Sequence, residues 1–237
     1  VPVLLLARGD AQAKDLLRRA IEARYGFSPP AVDSLEIDFK GRVRAKVGPI
    51  TTWVPVGIMA RFRFPKAMRW DFTVRPVGVT VQRGVEAFDG TTFRHVRGGS
   101  APSVIDNTAM ISSLQRRLWA MAAVLLTPLG EHFVELKAIG SNSLEATNTL
   151  IKDCVTLRLR ADSSLERVDV KCLNPDSEKE QLFNLRLSQE QAPINDMMLP
   201  RKISAFWDDA PYFEVEPGRV ENNPTFSDAV FSLEHGS

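Results

Sequence analysis

The chain has 237 residues, 44% hydrophobic and 25% charged. That is enough for one large all-β domain or two small ones, with a sizeable core, and it excludes disorder. Thirty Lys+Arg against 29 Asp+Glu leave a formal charge of +1, so nothing in the balance supports a nucleic-acid or anionic-membrane partner, and no apolar run reaches the ~18–20 residues of a transmembrane helix.

The chain opens on Val1-Pro2-Val3-Leu4-Leu5-Leu6, followed by a short polar stretch ending Ala11-Gln12-Ala13. A small-x-small triplet after an apolar run is how a signal peptide ends, so residues 1–13 read as the remnant of an export signal. The other reading is an ordered first strand. Residues 10–25 predict a helix: Asp10 can cap the free amides, and Leu17, Ile21 and Tyr25 recur every four residues. Gly26 ends it, and Pro29-Pro30 forbid continuation.

Strands follow in close succession. Ile37, Phe39, Val43, Ala45 and Val47 alternate with polar residues, with an interruption at 40–42. Arg42, Arg44 and Lys46 belong to the same segment and read as a solvated strand face. Ile58, Ala60, Phe62 and Phe64 share one face of the next strand, and Met59, Arg61 and Arg63 the other. Met68, Trp70, Phe72 and Val74 alternate with Arg69, Asp71, Thr73 and Arg75. Pro65-Lys66-Ala67 is the turn between them. A strand over 77–88, bent at Gly84, leads to an Asp89-Gly90 hairpin and a return strand over 93–96.

After a Gly98-Gly99-Ser100 loop, residues 106–126 predict the second helix. Met110, Leu114, Leu118, Met121 and Leu125 form one stripe, widened by Ile111, Ala122, Val124 and Leu126, before the stop at Pro128. From Leu118 onward this helix is apolar nearly all round, so it must be covered on more than one side. The remainder predicts strands over 133–139, 144–150, 155–160, 166–173, 182–187, 202–207 and 212–215. The tail beyond Pro217, residues 218–237, is looser and carries a last apolar segment over 226–233. Many short strands with frequent turns and no βαβ alternation indicate a mainly β fold and argue against a parallel doubly wound sheet. No repeat or interdomain linker divides the chain, so residues 1–237 read as one domain.

Cys154 and Cys172 flank a hairpin turning at Asp162-Ser163-Ser164. In one register they face each other and can form a disulfide. In the other, Leu157 faces Val170, Leu159 faces Val168 and Arg158 faces Asp169, which segregates apolar from charged side chains and places the cysteines on opposite faces. The pattern favours the second register, hence no bridge.

Signals for chemistry are sparse. The three histidines, His95, His132 and His235, sit in no metal-ligand or hydrolase motif, and no phosphate-binding glycine loop occurs. Asp176, Glu178, Glu180, Asp208 and Asp209 read as solvated turn residues. Neither a cofactor nor a metal is expected. What remains is an apolar sheet face opposite an all-round apolar helix. Either the two pack solidly, or they enclose a partly filled cavity, and periodicity does not separate the two.

The order of elements resembles the LolA/LolB-type lipoprotein carrier superfamily. The resemblance rests on the first helix leading to Phe39-Lys40-Gly41, on the segment Gly57-Ile58-Met59-Ala60-Arg61-Phe62-Arg63-Phe64-Pro65-Lys66-Ala67-Met68-Arg69-Trp70, and on Phe88-Asp89-Gly90-Thr91-Thr92-Phe93. Leu199-Pro200-Arg201-Lys202-Ile203 resembles a strand start of that group, and Phe226-Ser227-Asp228-Ala229-Val230-Phe231 its last strand. The resemblance implies a curved antiparallel half-barrel of about eleven strands, with an N-terminal helix and a hydrophobic lid helix on its concave face. It implies a non-catalytic carrier of a lipid or lipoprotein acyl chain in the periplasm or cell envelope, the chain held by Ile58, Phe62, Phe64, Trp70 and Phe72 of the sheet and Leu114, Leu118, Met121 and Leu125 of the lid. A sensor or protein-interaction module of the same fold, with another envelope protein as partner, is the alternative. Where the chaperones carry a lid-latching arginine just before the proline, this chain has Phe64, and Arg63 falls on the opposite face. The chain therefore looks more like a divergent relative than the chaperone itself.

Overall fold

The structure is a computed structural model and describes residues 3–76 and 81–233. The chain runs through strand β1 (Arg8–Gly9), helix α1 (Ala11–Tyr25), and strands β2 (Ser34–Val47), β3 (Ile50–Arg63), β4 (Ala67–Val74), β5 (Gln82–Phe88), β6 (Phe93–Arg97) and β7 (Ser103–Ile105). Helix α2 (Thr108–Leu125) and a 3-10 turn (Thr127–Gly130) follow. Strands β8 (Val134–Ala138), β9 (Ser143–Asn148), β10 (Asp153–Leu159), β11 (Leu165–Asn174), β12 (Lys179–Leu187), β13 (Gln191–Ile194), β14 (Met197–Pro200), β15 (Ile203–Trp207) and β16 (Ala210–Asn222) precede a terminal helix α3 (Ala229–Ser232). Among the described residues, β13 and β14 pair as a separate hairpin, and the other strands form one sheet in the order β1-β8-β9-β10-β11-β12-β15-β16-β2-β3-β4-β5-β6-β7. The sheet is curved and open, not closed into a barrel. The predicted α+β half-barrel is thus the observed architecture, with more strands than the resemblance implied.

Two runs of hairpins make this sheet, and they meet where the last strand, β16, pairs antiparallel with β2. The meeting explains the interruption in the alternation at 40–42. β2 is continuous there, and Gly41, itself exposed, falls on the strand face that Phe39 and Val43 share, paired with Val56 on one side and Val215 on the other. A Cβ at Gly41 would lie 1.9 Å from the Glu214 carbonyl oxygen. Only glycine lets the two strands approach this closely, so the gap in the apolar pattern is a packing requirement. The basic face of β2 is satisfied locally, with Arg42 2.9 Å from Glu214 and stacked over Trp53 at 4.5 Å.

Helix α1 forms as its sequence predicts. An Asp10 carboxylate oxygen accepts from the Ala13 amide at 2.7 Å, and its other oxygen accepts from Ala138 of β8 at 3.0 Å. Gly26 closes the helix at φ 68°. Leu16, Leu17, Ala20 and Ile21 bury the inner face. The triplet Ala11-Gln12-Ala13 is the first turn of this helix, and Arg8–Gly9 pairs in parallel with β8.

Several expectations are corrected. The β10–β11 hairpin pairs Leu157 with Val168 and Thr156 with Asp169, with a shift between Arg158 and Leu159. That register is two residues from the favoured one and keeps its parity, so the faces are as expected and the cysteines remain apart: Cys154 is exposed, Cys172 buried, both free. Gly84 does not bend β5, which pairs with β4 without a break. Instead the Phe72 ring lies over Gly84, where a Cβ would be 2.3 Å from Cζ. The part of the predicted strand at 77–80 lies outside the described residues. The segment beyond Pro217 is not loose through residue 222: β16 bulges between Pro217 and Val220 and then pairs again, Val220 with Ile37 and Asn222 with Leu35. The apolar run at 226–233 forms no last strand; its middle, Ala229–Ser232, is the short helix α3. Phe231 is buried there, and Arg63 reaches it from β3 with a 2.8 Å bond to Asp228. The short strands β7, β13 and β14 carry too little alternation to be read from sequence.

Candidate functional site: the space beneath helix α2

Asn107 starts α2 by accepting from the Ala109 and Met110 amides at 3.0 and 3.1 Å. The helix ends where Leu126 takes φ 67°, and Pro128 continues as the 3-10 turn. Leu118 through Leu125 are all buried, as an all-round apolar segment demands. One flank is fastened to β9, β10 and β11. Ser113 donates its hydroxyl to the Leu173 carbonyl at 2.6 Å, and the Trp119 indole N–H donates to Ala146 at 3.0 Å. Arg116 bonds Asp153 at 3.1 Å and the Lys171 carbonyl at 2.8 Å. Burial raises the Asp153 carboxyl pKa, against the pull of Arg116.

The C-terminal end of α2 is clamped by α1. The Arg24 guanidinium donates to the Val124 carbonyl and the Tyr25 hydroxyl to the Leu125 carbonyl at 3.0 Å. These are carbonyls of the last turn, which have no partner inside the helix, and a cation there complements the negative end of the helix dipole. Arg24 is only 5% exposed, and burial pushes its pKa down and that of Tyr25 up.

The other flank of α2 faces β2, β3, β15 and β16 with apolar groups. Between them is a hollow of about 20 Å³, lined by Leu35, Ile37 and Phe39 of β2, Phe62 of β3, Met121, Val124 and Leu125 of α2, then Leu199, Ile203 and Pro217. By this measure it would hold about one water. With apolar walls it stays dry, and as it stands it is too small for an acyl chain. Any chain must widen it.

Of the residues predicted to hold a ligand, Phe62, Met121 and Leu125 line this hollow. Leu114 and Leu118 are buried, 1% exposed each, but do not line it. Ile58, Phe64 and Trp70 are half-buried against the core. Phe62 joins them to the hollow, stacked on Phe64 at 5.5 Å and edge-on to Trp70 at 5.9 Å. Phe72 covers Gly84, and the Arg97 guanidinium lies 5.4 Å from its ring centre. The lining residues of β2 were detectable as an alternating strand, since Leu35 pairs with Phe62 and Ile37 with Ala60. The contribution of Leu199 and Pro217 was not, because it depends on the β13–β14 hairpin and the β16 bulge.

Toward the β5–β6 side the concave face becomes polar. Trp70 pairs with Glu86, which pairs with His95, and Arg97 bonds Glu86 at 3.3 Å. His132 packs edge-on to Phe133 at 5.6 Å, and His235 lies outside the described residues. Among the described residues no cluster of His, Cys, Asp or Glu could hold a metal ion. Asp208 accepts from the Leu182 amide at 2.9 Å and Gln181 at 2.8 Å, the work of a turn residue. No described helix is long and apolar enough to cross a membrane.

No protein-family model and no curated protein sequence matches the chain. Solved structures do match in shape. The chain shares the fold of a DUF1329 family protein from Desulfovibrio piger. The two are 12% identical, the match covers 95% of this chain and 98% of the other, and the TM-score is 0.50. A LolA superfamily protein from Nitrosomonas europaea matches over 94% and 98% of the two chains at 11% identity and TM-score 0.49. A putative outer membrane lipoprotein-sorting protein domain from Vibrio parahaemolyticus matches over 93% and 97% at 10% identity and TM-score 0.49. At such identities the likeness is one of fold.

Proposed function

We propose that this protein binds a lipid or a lipoprotein acyl chain between α2 and the concave face of the sheet, without chemistry of its own, and serves as a carrier in the cell envelope. The observation that carries this reading is the apolar hollow beneath α2 and its continuity, through Phe62, with the half-buried Phe64 and Trp70. Ile58 and Phe72 extend that surface, and Leu114 and Leu118 anchor the helix behind it. The side-chain hydrogen bonds described from α2 to the sheet all go to β9, β10 and β11. The flank over β2 and β3 is held by apolar contact alone, so it can part from the sheet without breaking a hydrogen bond. Each methylene that takes the place of the lost contact returns roughly 0.8 kcal/mol.

The test is direct. Purified protein is extracted with organic solvent and the extract analysed by mass spectrometry; delipidated protein is then titrated with a fluorescent fatty acid. Recovered lipid together with saturable binding is the expected result. Absence of both would overturn the proposal.

A further inference from the structure

Arg117 is the one α2 side chain on the ligand-facing flank that the apolar reading does not explain. It stands one turn before Met121, on the same stripe, so both point over β15 and β16. Its guanidinium lies 5.9 Å from the centre of the Trp207 ring. Trp207 in turn is 6.2 Å from Tyr212, which burial raises in pKa and whose hydroxyl feels the Arg117 charge. The contrast with the next residue is informative. Arg116 is matched by Asp153 and the Lys171 carbonyl. Arg117 has a buried Nε with no hydrogen-bond partner and no ion pair with any described residue. Of the two carboxylates whose charge reaches Tyr212, Glu86 and Asp176, Glu86 is already engaged by Arg97 at 3.3 Å, and neither pairs with Arg117.

Arg117 is only partly buried, but its Nε is enclosed with no acceptor, and a buried donor left unpaired is costly. Aromatic stacking offsets only part of that. An anion supplied by a ligand would complete the site, since the planar fork of arginine matches a carboxylate or phosphate with two parallel bonds. The arrangement also has a direction. Along one face of β15, Trp207, Ala205 and Ile203 run from Arg117 to the hollow, a span of roughly 13 Å at the rise of a strand. Cation and apolar hollow therefore lie in line, head and tail.

Building on the lipid-binding reading, we propose that the ligand is an anionic amphiphile whose carboxylate or phosphate head pairs with Arg117 over Trp207 while its chain runs past Met121 into the hollow. Delipidated protein is titrated at equal chain length with oleate, 1-oleoyl-lysophosphatidate and neutral monoolein. One or both anions bind about tenfold more tightly than monoolein, as a charge-assisted pair would give, and the tighter of the two identifies the head. Arg117→Met brings all three to within about twofold without weakening monoolein, and Arg117→Lys retains part of the preference. Wild-type protein with no anionic preference, or Arg117→Met that keeps it, overturns the assignment while monoolein binding leaves the lipid reading intact. Failure of all three ligands to bind overturns both. Circular dichroism of the variants confirms that each is folded, which Arg117→Met should be because it removes an enclosed, unpaired Nε donor.

Discussion

Single residues show how much of this chain is decided by what stands opposite. Gly41 carries no side chain because the Glu214 carbonyl occupies the space a Cβ would take. Gly41→Ala is expected to destabilise the protein by roughly 1–3 kcal/mol or more, since backbone cannot yield as a side-chain tip does; a urea midpoint within error of wild type would refute this. The cysteines make a second case. Burial pushes both thiols up in pKa, and they lie on opposite faces. Two thiols should titrate in denaturant without reductant, and in native protein Cys154 should label well before Cys172. Acid stability follows from turn carboxylates. Asp10 is held low by the Ala13 and Ala138 amides, Asp162 by the Ser164 hydroxyl and amide, and Asp208 by the Leu182 amide and Gln181. Lowered carboxylates contribute stability above the ordinary value of 3.8, and lose it as pH falls through their folded values. Asp153, raised by burial, works in the opposite sense. The melting temperature should therefore hold near neutrality and fall below about pH 4.

At the scale of elements, α2 is a roof fixed along one side and at one end. Its fixed side is polar and specific, through Ser113, Arg116 and Trp119; its free side is apolar and can re-form around a different shape. The clamp by Arg24 and Tyr25 prevents the C-terminal end from swinging, so movement on loading belongs to the flank above β2 and β3. Arg24→Met should keep the volume but lose the cap on Val124, costing about 2 kcal/mol. An unchanged denaturation midpoint would mean that relief from burying the charge cancels the lost bond. The same variant should raise the rate of fatty-acid uptake, because the roof is then held at fewer points.

For the whole molecule, the curved sheet and its roof leave a hollow that is dry and small, so occupancy and stability are linked. Met121→Ala enlarges the hollow and should cost roughly 2–5 kcal/mol. Because a ligand that binds only the folded form adds stability by mass action, oleate should raise the melting temperature of this variant more than that of wild type. Equal shifts would place the ligand elsewhere on the molecule.

Alternation in β3 and β4, the Asp10 cap with its Gly26 stop, and the all-round apolar half of α2 are local patterns, and each is decided by side-chain period and backbone chemistry within the segment. They were enough to indicate a mainly β fold with a covered helix; the half-barrel, with Phe62, Met121 and Leu125 on its inner surface, came from the family resemblance. What tertiary structure decided is everything that depends on partners distant in the chain. Gly41 reads as a break until β16 is laid beside it, and the cover that Phe72 gives Gly84 is visible only once β4 and β5 are paired. The run at 226–233 has the composition of a strand, yet pairs with none, and Ala229–Ser232 turn as a helix where Arg63 and the underlying sheet receive Phe231. Arg117 is one more surface arginine in the sequence; only the fold, by withholding a counter-charge and setting Trp207 beneath it, distinguishes it from Arg116. Period and propensity act over a few residues, whereas the pairing of a charge or the filling of a space is settled by whatever the folded chain brings alongside.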